Sequence, residues 1–172
     1  MQSGVTTATE DSRQVWGATL AVVARLGLAV VWAWAAIAKL GDADAALRAV
    51  RAYEILPEAL VKSFAWGLPF VELALAALLL LGVGTRIAGW ISAAILVVFM
   101  AGIVSVWVRG IQIDCGCFGG GGPADVNGWT YASELLRDGF FLVLSLVVAL
   151  GPRSPYRLDA LFDRDEPDEE HR

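Results

Sequence analysis

Residues 60–108 read LVKSFAWGLPFVELALAALLLLGVGTRIAGWISAAILVVFMAGIVSVWV, and this stretch decides the fold. It contains two apolar runs, at 60–81 and 87–108, joined by the turn sequence Gly82-Val83-Gly84-Thr85. A helix needs about 20 apolar residues to cross the hydrocarbon core of a bilayer, and each run has that length. The short connection predicts an antiparallel hairpin of two membrane helices.

Two further apolar runs, at 16–38 and 131–150, give four predicted spans in a chain that is 57% hydrophobic. Residues 43–56 place apolar side chains at helical spacing with charged ones between them, and Pro57 ends the pattern. The predicted fold class is therefore all-α: a four-helix transmembrane bundle with a short amphipathic interfacial helix between helices one and two. We divide the chain into a polar N-terminal tail (1–15), the membrane domain (16–151) and an acidic C-terminal tail (152–172).

Charge excludes one class of function and leaves the topology undecided. Six of the 18 acidic residues lie within 163–170, which predicts a solvated, disordered end, and no basic surface for nucleic acid is present. Lysines and arginines near the helix ends are equally numerous on the two predicted sides, so the positive-inside rule gives no orientation. A cleavable signal is the competing interpretation of the first run, but the apolar stretch begins before Arg25, which favours a retained helix.

The long connection at 109–130 carries the chemistry. It contains Cys115-Gly116-Cys117, the only cysteines of the chain, followed by four glycines at 119–122. A disulfide across one residue closes a small, strained ring, which favours a labile, exchange-competent pair over a structural staple. Zinc binding is the chemical alternative, with Asp114 as a further donor, but a fourth ligand is missing, so we predict no metal. Inert cysteines are the remaining alternative. The glycines are either a flexible connection or a way to keep the cysteine turn open to another thiol.

Charged residues within the predicted helices form a second group. Arg25 and Glu72 fall at matching depths on adjacent antiparallel helices, so we expect them to form a buried ion pair. This pair either fixes the bundle or, together with Arg137 and Lys39, lines a polar pocket near the cysteines.

The chain resembles the DoxX/MauE family of small four-helix membrane proteins over about residues 16–150. The matching segments are Arg25-Leu26-Gly27, Ala38-Lys39-Leu40, Pro69-Phe70-Val71-Glu72, Leu81-Gly82 with Arg86, and Cys115-Gly116-Cys117-Phe118-Gly119. The cysteine loop points to the MauE-like branch. That resemblance implies a redox-associated membrane protein that works with a thioredoxin-like partner outside the cytoplasm, with Cys115 and Cys117 as the exchange pair.

The residues and the resemblance together predict a membrane thiol–disulfide redox protein. It would exchange electrons between an extracytoplasmic thioredoxin-like partner and the membrane, with quinone as the expected membrane carrier. The alternative is a non-catalytic membrane anchor or assembly subunit of a redox complex. We expect a multi-pass protein of the cell membrane, in contact with the lipid bilayer, with cytoplasmic termini and an extracytoplasmic cysteine loop, because a persistent disulfide needs an oxidising compartment.

Overall fold

A computed structural model describes the backbone of residues 3–151 and the side chains of residues 19–151. The described part contains five helices and one two-stranded antiparallel sheet. The helices are α1 (Ser3–Gly41), α2 (Ala43–Ala52), α3 (Glu58–Leu81), α4 (Thr85–Arg109) and α5 (Gly128–Leu150), and the strands are β1 (Ile113–Asp114) and β2 (Gly122–Pro123). The predicted acidic tail at 152–172 lies outside the described residues.

The helices confirm the all-α prediction, including the amphipathic helix, which is α2. The number of spans differs from the prediction. Within the described residues, three helices are long and apolar enough to cross a membrane, with spans at Thr19–Gly41, Glu58–Leu81 and Thr85–Arg109. The predicted fourth span, α5, has three charged side chains close together in its first half: Glu134, Arg137 and Asp138. These charges lower the apolar character of α5, and they serve the site described below.

Helix ends follow from local sequence. Asp42 caps α2 by accepting a hydrogen bond from the backbone N–H of Ala45 at 2.8 Å. Gly82 ends α3, and Gly84 precedes α4; both adopt the left-handed conformation that the predicted turn requires. α1 starts at Ser3, so the backbone of the polar N-terminal segment continues the first membrane helix.

The helices pack mainly as two pairs: α1 lies along α3, and α4 lies along α5. Gly89 allows α4 to approach α5 closely, since a Cβ there would stand 2.9 Å from the backbone nitrogen of Ala149. Between the pairs, the Trp32 indole on α1 donates a hydrogen bond of 2.9 Å to the Ser92 hydroxyl on α4. The turn predicted between α3 and α4 is present, but these two helices pack together only sparsely. A cleft is left along their seam.

Candidate functional site

The cysteine loop is a fixed structure built on the ends of α4 and α5. Strands β1 and β2 pair Ile113 with Pro123 and Asp114 with Gly122, so residues 115–121 form the tip of a small hairpin. The Tyr131 hydroxyl on α5 anchors its base: it donates to the carbonyl of Ile111 at 2.7 Å and accepts from the N–H of Ile113 at 3.0 Å.

The tip of the hairpin folds inward against the amphipathic helix α2. The Ala49 side chain packs directly on two glycines of the loop: an added Cβ would lie 2.7 Å from the Ala49 Cβ at Gly116 and 2.4 Å from it at Gly121. Both glycines also have positive φ, at 68° and 102°. These two glycines therefore lie in a packed turn, which differs from both predicted uses: a flexible connection, and a turn left open to another thiol. They permit close packing of the loop beneath a small-residue face of α2.

Cys115 is buried, and its thiol lies among charged groups of α5. The Cys115 Sγ accepts a hydrogen bond from the Arg137 guanidinium at 3.8 Å. That guanidinium also pairs with Asp138 at 3.1 Å and stacks over the Phe118 ring, 4.8 Å from its centroid. Arg137 is thus placed beside the cysteines. The carbonyl oxygen of Cys115 accepts from the Tyr53 hydroxyl at 3.4 Å.

The two thiols differ in their tendency to ionise. A hydrogen bond from the Cys117 thiol, aided by the Arg137 guanidinium, lowers the pKa of Cys115 below its ordinary value despite burial. The same hydrogen bond, together with burial, raises the pKa of Cys117. Of the pair, Cys115 is the sulfur that carries negative charge more readily.

Lys39 and Glu72 form an ion pair beside Cys117. The Lys39 ammonium lies 2.9 Å from a Glu72 carboxylate oxygen, and both side chains are almost fully buried. The same ammonium donates to the carbonyl of Cys117 at 2.9 Å. This ion pair connects the last turn of α1, the middle of α3 and the cysteine loop.

The predicted Arg25–Glu72 pair is wrong, because the carboxylate of Glu72 is paired with Lys39. The prediction assumed that helices begin and end at common levels. In the structure Glu72, in the middle of α3, meets the last turn of α1, so most of the first half of α3 lies beyond the end of α1. Arg25 is buried on α1, but 14 residues before Lys39. Fourteen residues span about 20 Å along a helix, so Arg25 lies outside the cysteine site.

One group of side chains has the composition of a metal site. Ligand atoms of Asp114, Cys115 and Glu134 all lie within 4.8 Å of one another. One Glu134 oxygen is buried without a hydrogen bond, and a tetrahedral zinc site would need a further ligand from outside the group. The Arg137 guanidinium lies in the same space and disfavours a second cation there. The arrangement fits thiol chemistry better than metal binding.

A cavity gives access to the cysteines from within the bundle. Its volume is about 190 Å³, and its walls are largely apolar side chains of α2, α3 and α4. Cys115, Gly116, Cys117 and Lys39 line one part of it. As a residue, Cys117 is half-buried while Cys115 is buried, and both border the cavity.

Sequence reasoning missed three contributors to the site: Tyr53, Tyr131 and Ala49. Both tyrosines adjoin predicted helix ends, where a hydroxyl can reach loop backbone, but nothing in a single sequence shows which backbone. A stronger signal was available for α2, because Ala45, Ala46 and Ala49 form a small-residue face and the chain has one glycine-rich loop for it to cover.

Fold and site together define a small helical membrane protein that holds a thiol pair in a loop against its bundle. A profile of the family described as "Methylamine utilisation protein MauE" matches residues 17–151, and the chain belongs to this family. Two curated relatives carry the name methylamine utilization protein MauE. The protein of Methylophilus methylotrophus is 41% identical over 100 residues, covering 58% of this chain and 53% of its own. That of Paracoccus denitrificans is 34% identical over 128 residues, covering 74% and 67%.

The alignment thus spans about half the length of the Methylophilus relative. No solved structure matches the chain. The MauE part of the predicted resemblance is confirmed.

Proposed function

We propose that this chain is a membrane thiol–disulfide redox protein whose Cys115–Cys117 pair exchanges electrons with a thioredoxin-like partner outside the cytoplasm. The observation that carries the proposal is the unequal environment of the two sulfurs, with Arg137 next to Cys115 and only Cys117 partly exposed. The relatives are named for methylamine utilisation, and we extend to this chain an accessory role in a redox system of that kind.

The asymmetry gives each sulfur a role. With the chain oxidised, a thiolate of the reduced partner attacks Cys117, the less buried of the two residues, and the Cys115–Cys117 bond breaks. Cys115 leaves as a thiolate, because a thiol of low pKa is the better leaving group. The second thiol of the partner then attacks the mixed disulfide. The partner gains a disulfide, Cys115 and Cys117 become thiols, and two electrons have entered the membrane protein for transfer to quinone.

Single-cysteine variants test this assignment. Cys115→Ser leaves Cys117 without its internal thiol, and we expect this variant to accumulate a mixed disulfide with the partner in cells, visible by non-reducing electrophoresis and collapsed by dithiothreitol. Cys117→Ser, which keeps only the buried sulfur, should accumulate much less. If neither variant forms an adduct and the double variant keeps full activity, the thiol role is wrong, and an anchor or assembly subunit becomes the better account.

Orientation has its own test. The proposal places the cysteine loop on the extracytoplasmic side, which requires a cytoplasmic N-terminus for the three spans in α1, α3 and α4. A cytoplasmic C-terminus requires in addition that α5 crosses the bilayer. A membrane-impermeant maleimide, applied to intact cells after mild reduction, should label Cys117. If labelling requires permeabilisation of the cells, the loop faces the cytoplasm, and a partner outside the cytoplasm cannot reach it.

A further inference from the structure

The cavity beside the cysteines continues toward the outer surface of the bundle. A second cavity of about 440 Å³ lies along the seam of α3 and α4. The two cavities adjoin, because four side chains line both of them: Phe64, Leu68, Val98 and Phe99. We call the two cavities together the α3–α4 cleft. Its inner end is lined by Cys115, Cys117 and Lys39, and its outer end by apolar groups almost alone.

The outer end opens on the part of the protein that faces lipid. α3 and α4 are both long and apolar enough to span a membrane. On their outer surfaces Phe64 is 42% exposed and Val98 is 62% exposed, and both belong to the cleft. Apolar side chains exposed on a spanning helix contact acyl chains. The cleft therefore connects the bilayer interior with the thiol pair without passing through water.

We propose that the α3–α4 cleft is the binding site of a lipid-soluble quinone, which enters sideways from the bilayer and oxidises the Cys115–Cys117 dithiol. This inference rests on the proposed function, since it names the electron acceptor of the same thiol pair. A quinone matches the cleft in polarity: its tail suits the apolar outer part, and its polar ring suits the inner end. There the Lys39 ammonium, which is paired with Glu72, still places a positive group beside the ring, where negative charge develops as the quinone accepts electrons.

The reaction balances with the quinone as the sole oxidant. The Cys115 and Cys117 S–H bonds break, Cys115 ionising first, and a sulfur–sulfur bond forms between the two residues. The two electrons released and the two protons lost by the thiols pass to the quinone, whose two ring oxygens gain O–H bonds, and it leaves as the quinol. The product is the Cys115–Cys117 disulfide, the form that accepts electrons from the partner in the proposed cycle.

The test measures oxidation of the reduced, full-length protein in detergent by decylubiquinone, a quinone with a short tail, through the loss of quinone absorbance. Leu68→Trp and Val98→Trp fill the cleft and should each slow this reaction at least about tenfold, which corresponds to about 1.4 kcal/mol in the barrier. Val97→Trp is the matched control: Val97 is 52% exposed on the same turn of α4 but lies outside the cleft lining. It should stay within about twofold of the unsubstituted protein.

A second readout separates this inference from the proposed function. All three variants should react at the unsubstituted rate with a small water-soluble disulfide, which shows that the dithiol is intact. If the small disulfide reacts while decylubiquinone oxidises neither the unsubstituted protein nor any variant, the quinone site is wrong and the thiol role stands. The same conclusion follows if decylubiquinone oxidises all of them at equal rates. If neither oxidant acts on the unsubstituted protein, both proposals fail.

Photolabelling of the unsubstituted protein does not depend on how the variants fold. An azido-quinone should label peptides of α3 and α4 that border the cleft, and excess decylubiquinone should suppress the labelling. Labelling of other parts of the protein would overturn the proposal. Competition by phospholipid but not by decylubiquinone would also overturn it, because it would show that the cleft holds an acyl chain.

Discussion

Replacing Arg137 by glutamine should raise the pKa of Cys115, because the guanidinium adds to the hydrogen bond from Cys117 in lowering it. The guanidinium lies 3.8 Å from the Cys115 Sγ, a separation at which opposite unit charges attract by about 4 kcal/mol at an effective dielectric constant near 20. The guanidinium shares its charge with Asp138, and its side chain is 34% exposed. Solvent screening therefore reduces the attraction to about 1 kcal/mol, the upper end of the range for partly exposed ion pairs.

The assay is the rate at which iodoacetamide alkylates Cys115 in the reduced protein as a function of pH, with the site identified by mass spectrometry. Only the thiolate reacts, so the midpoint of the rate profile reports the pKa of Cys115. Below that midpoint Arg137→Gln should react about fivefold more slowly, as about 1 kcal/mol implies, while Arg137→Lys, which keeps the charge, should lose less. Lys62→Gln removes an exposed charge from α3 and should leave the profile unchanged. An unshifted midpoint in Arg137→Gln would refute the role given to the guanidinium.

Other substitutions test the packing around the site through thermal stability in detergent. Glu72→Gln leaves the buried Lys39 ammonium without its counter-charge and should lower the free energy of unfolding by about 3–5 kcal/mol. The double variant Lys39→Met, Glu72→Gln should regain part of this loss. Strictly additive effects of the two substitutions would exclude the ion pair. Gly121→Ala should cost about 2–4 kcal/mol, from positive φ and from contact with Ala49 and the Gly116 backbone. Relative to the Ala49→Gly background, the same change should cost less, because the contact with the Ala49 side chain is gone. Gly110→Ala is the control, with positive φ and open space; equal losses in the two alanine variants would show that the contact with α2 costs nothing.

The helices were predictable from sequence because their signal is local. Apolar runs of spanning length, and the helical spacing of apolar residues at 43–56, can be recognised from the local order of residues alone. Helices α2, α3 and α4 lie where these patterns predict them. The span count was less accurate because three charges in α5 serve the cysteine loop, and the sequence does not show that a helix which is otherwise apolar contributes charged groups to a site.

The site was predictable in its chemistry and less so in its contacts. A single pair of cysteines in a glycine-rich loop identified the reactive residues as a hypothesis, and Arg137 and Lys39 both contact the loop. The partner of Glu72 was not predictable, because it depends on how far α3 extends beyond α1. The inward fold of the loop was missed for a similar reason: glycine permits an open turn and a tightly covered one equally well, and only the packing of Ala49 decides between them.

The central claim is that Cys115 and Cys117 form a reversible redox pair, and a thiol–disulfide titration of the purified protein tests it most directly. We expect one two-electron transition, followed by mass-tagging of free thiols, with a potential more oxidising than the roughly −300 mV below which structural disulfides lie. The Cys115→Ser and Cys117→Ser variants should show no such transition. A protein that keeps both thiols in the most oxidising buffer, or a disulfide that resists the most reducing one, would contradict the account.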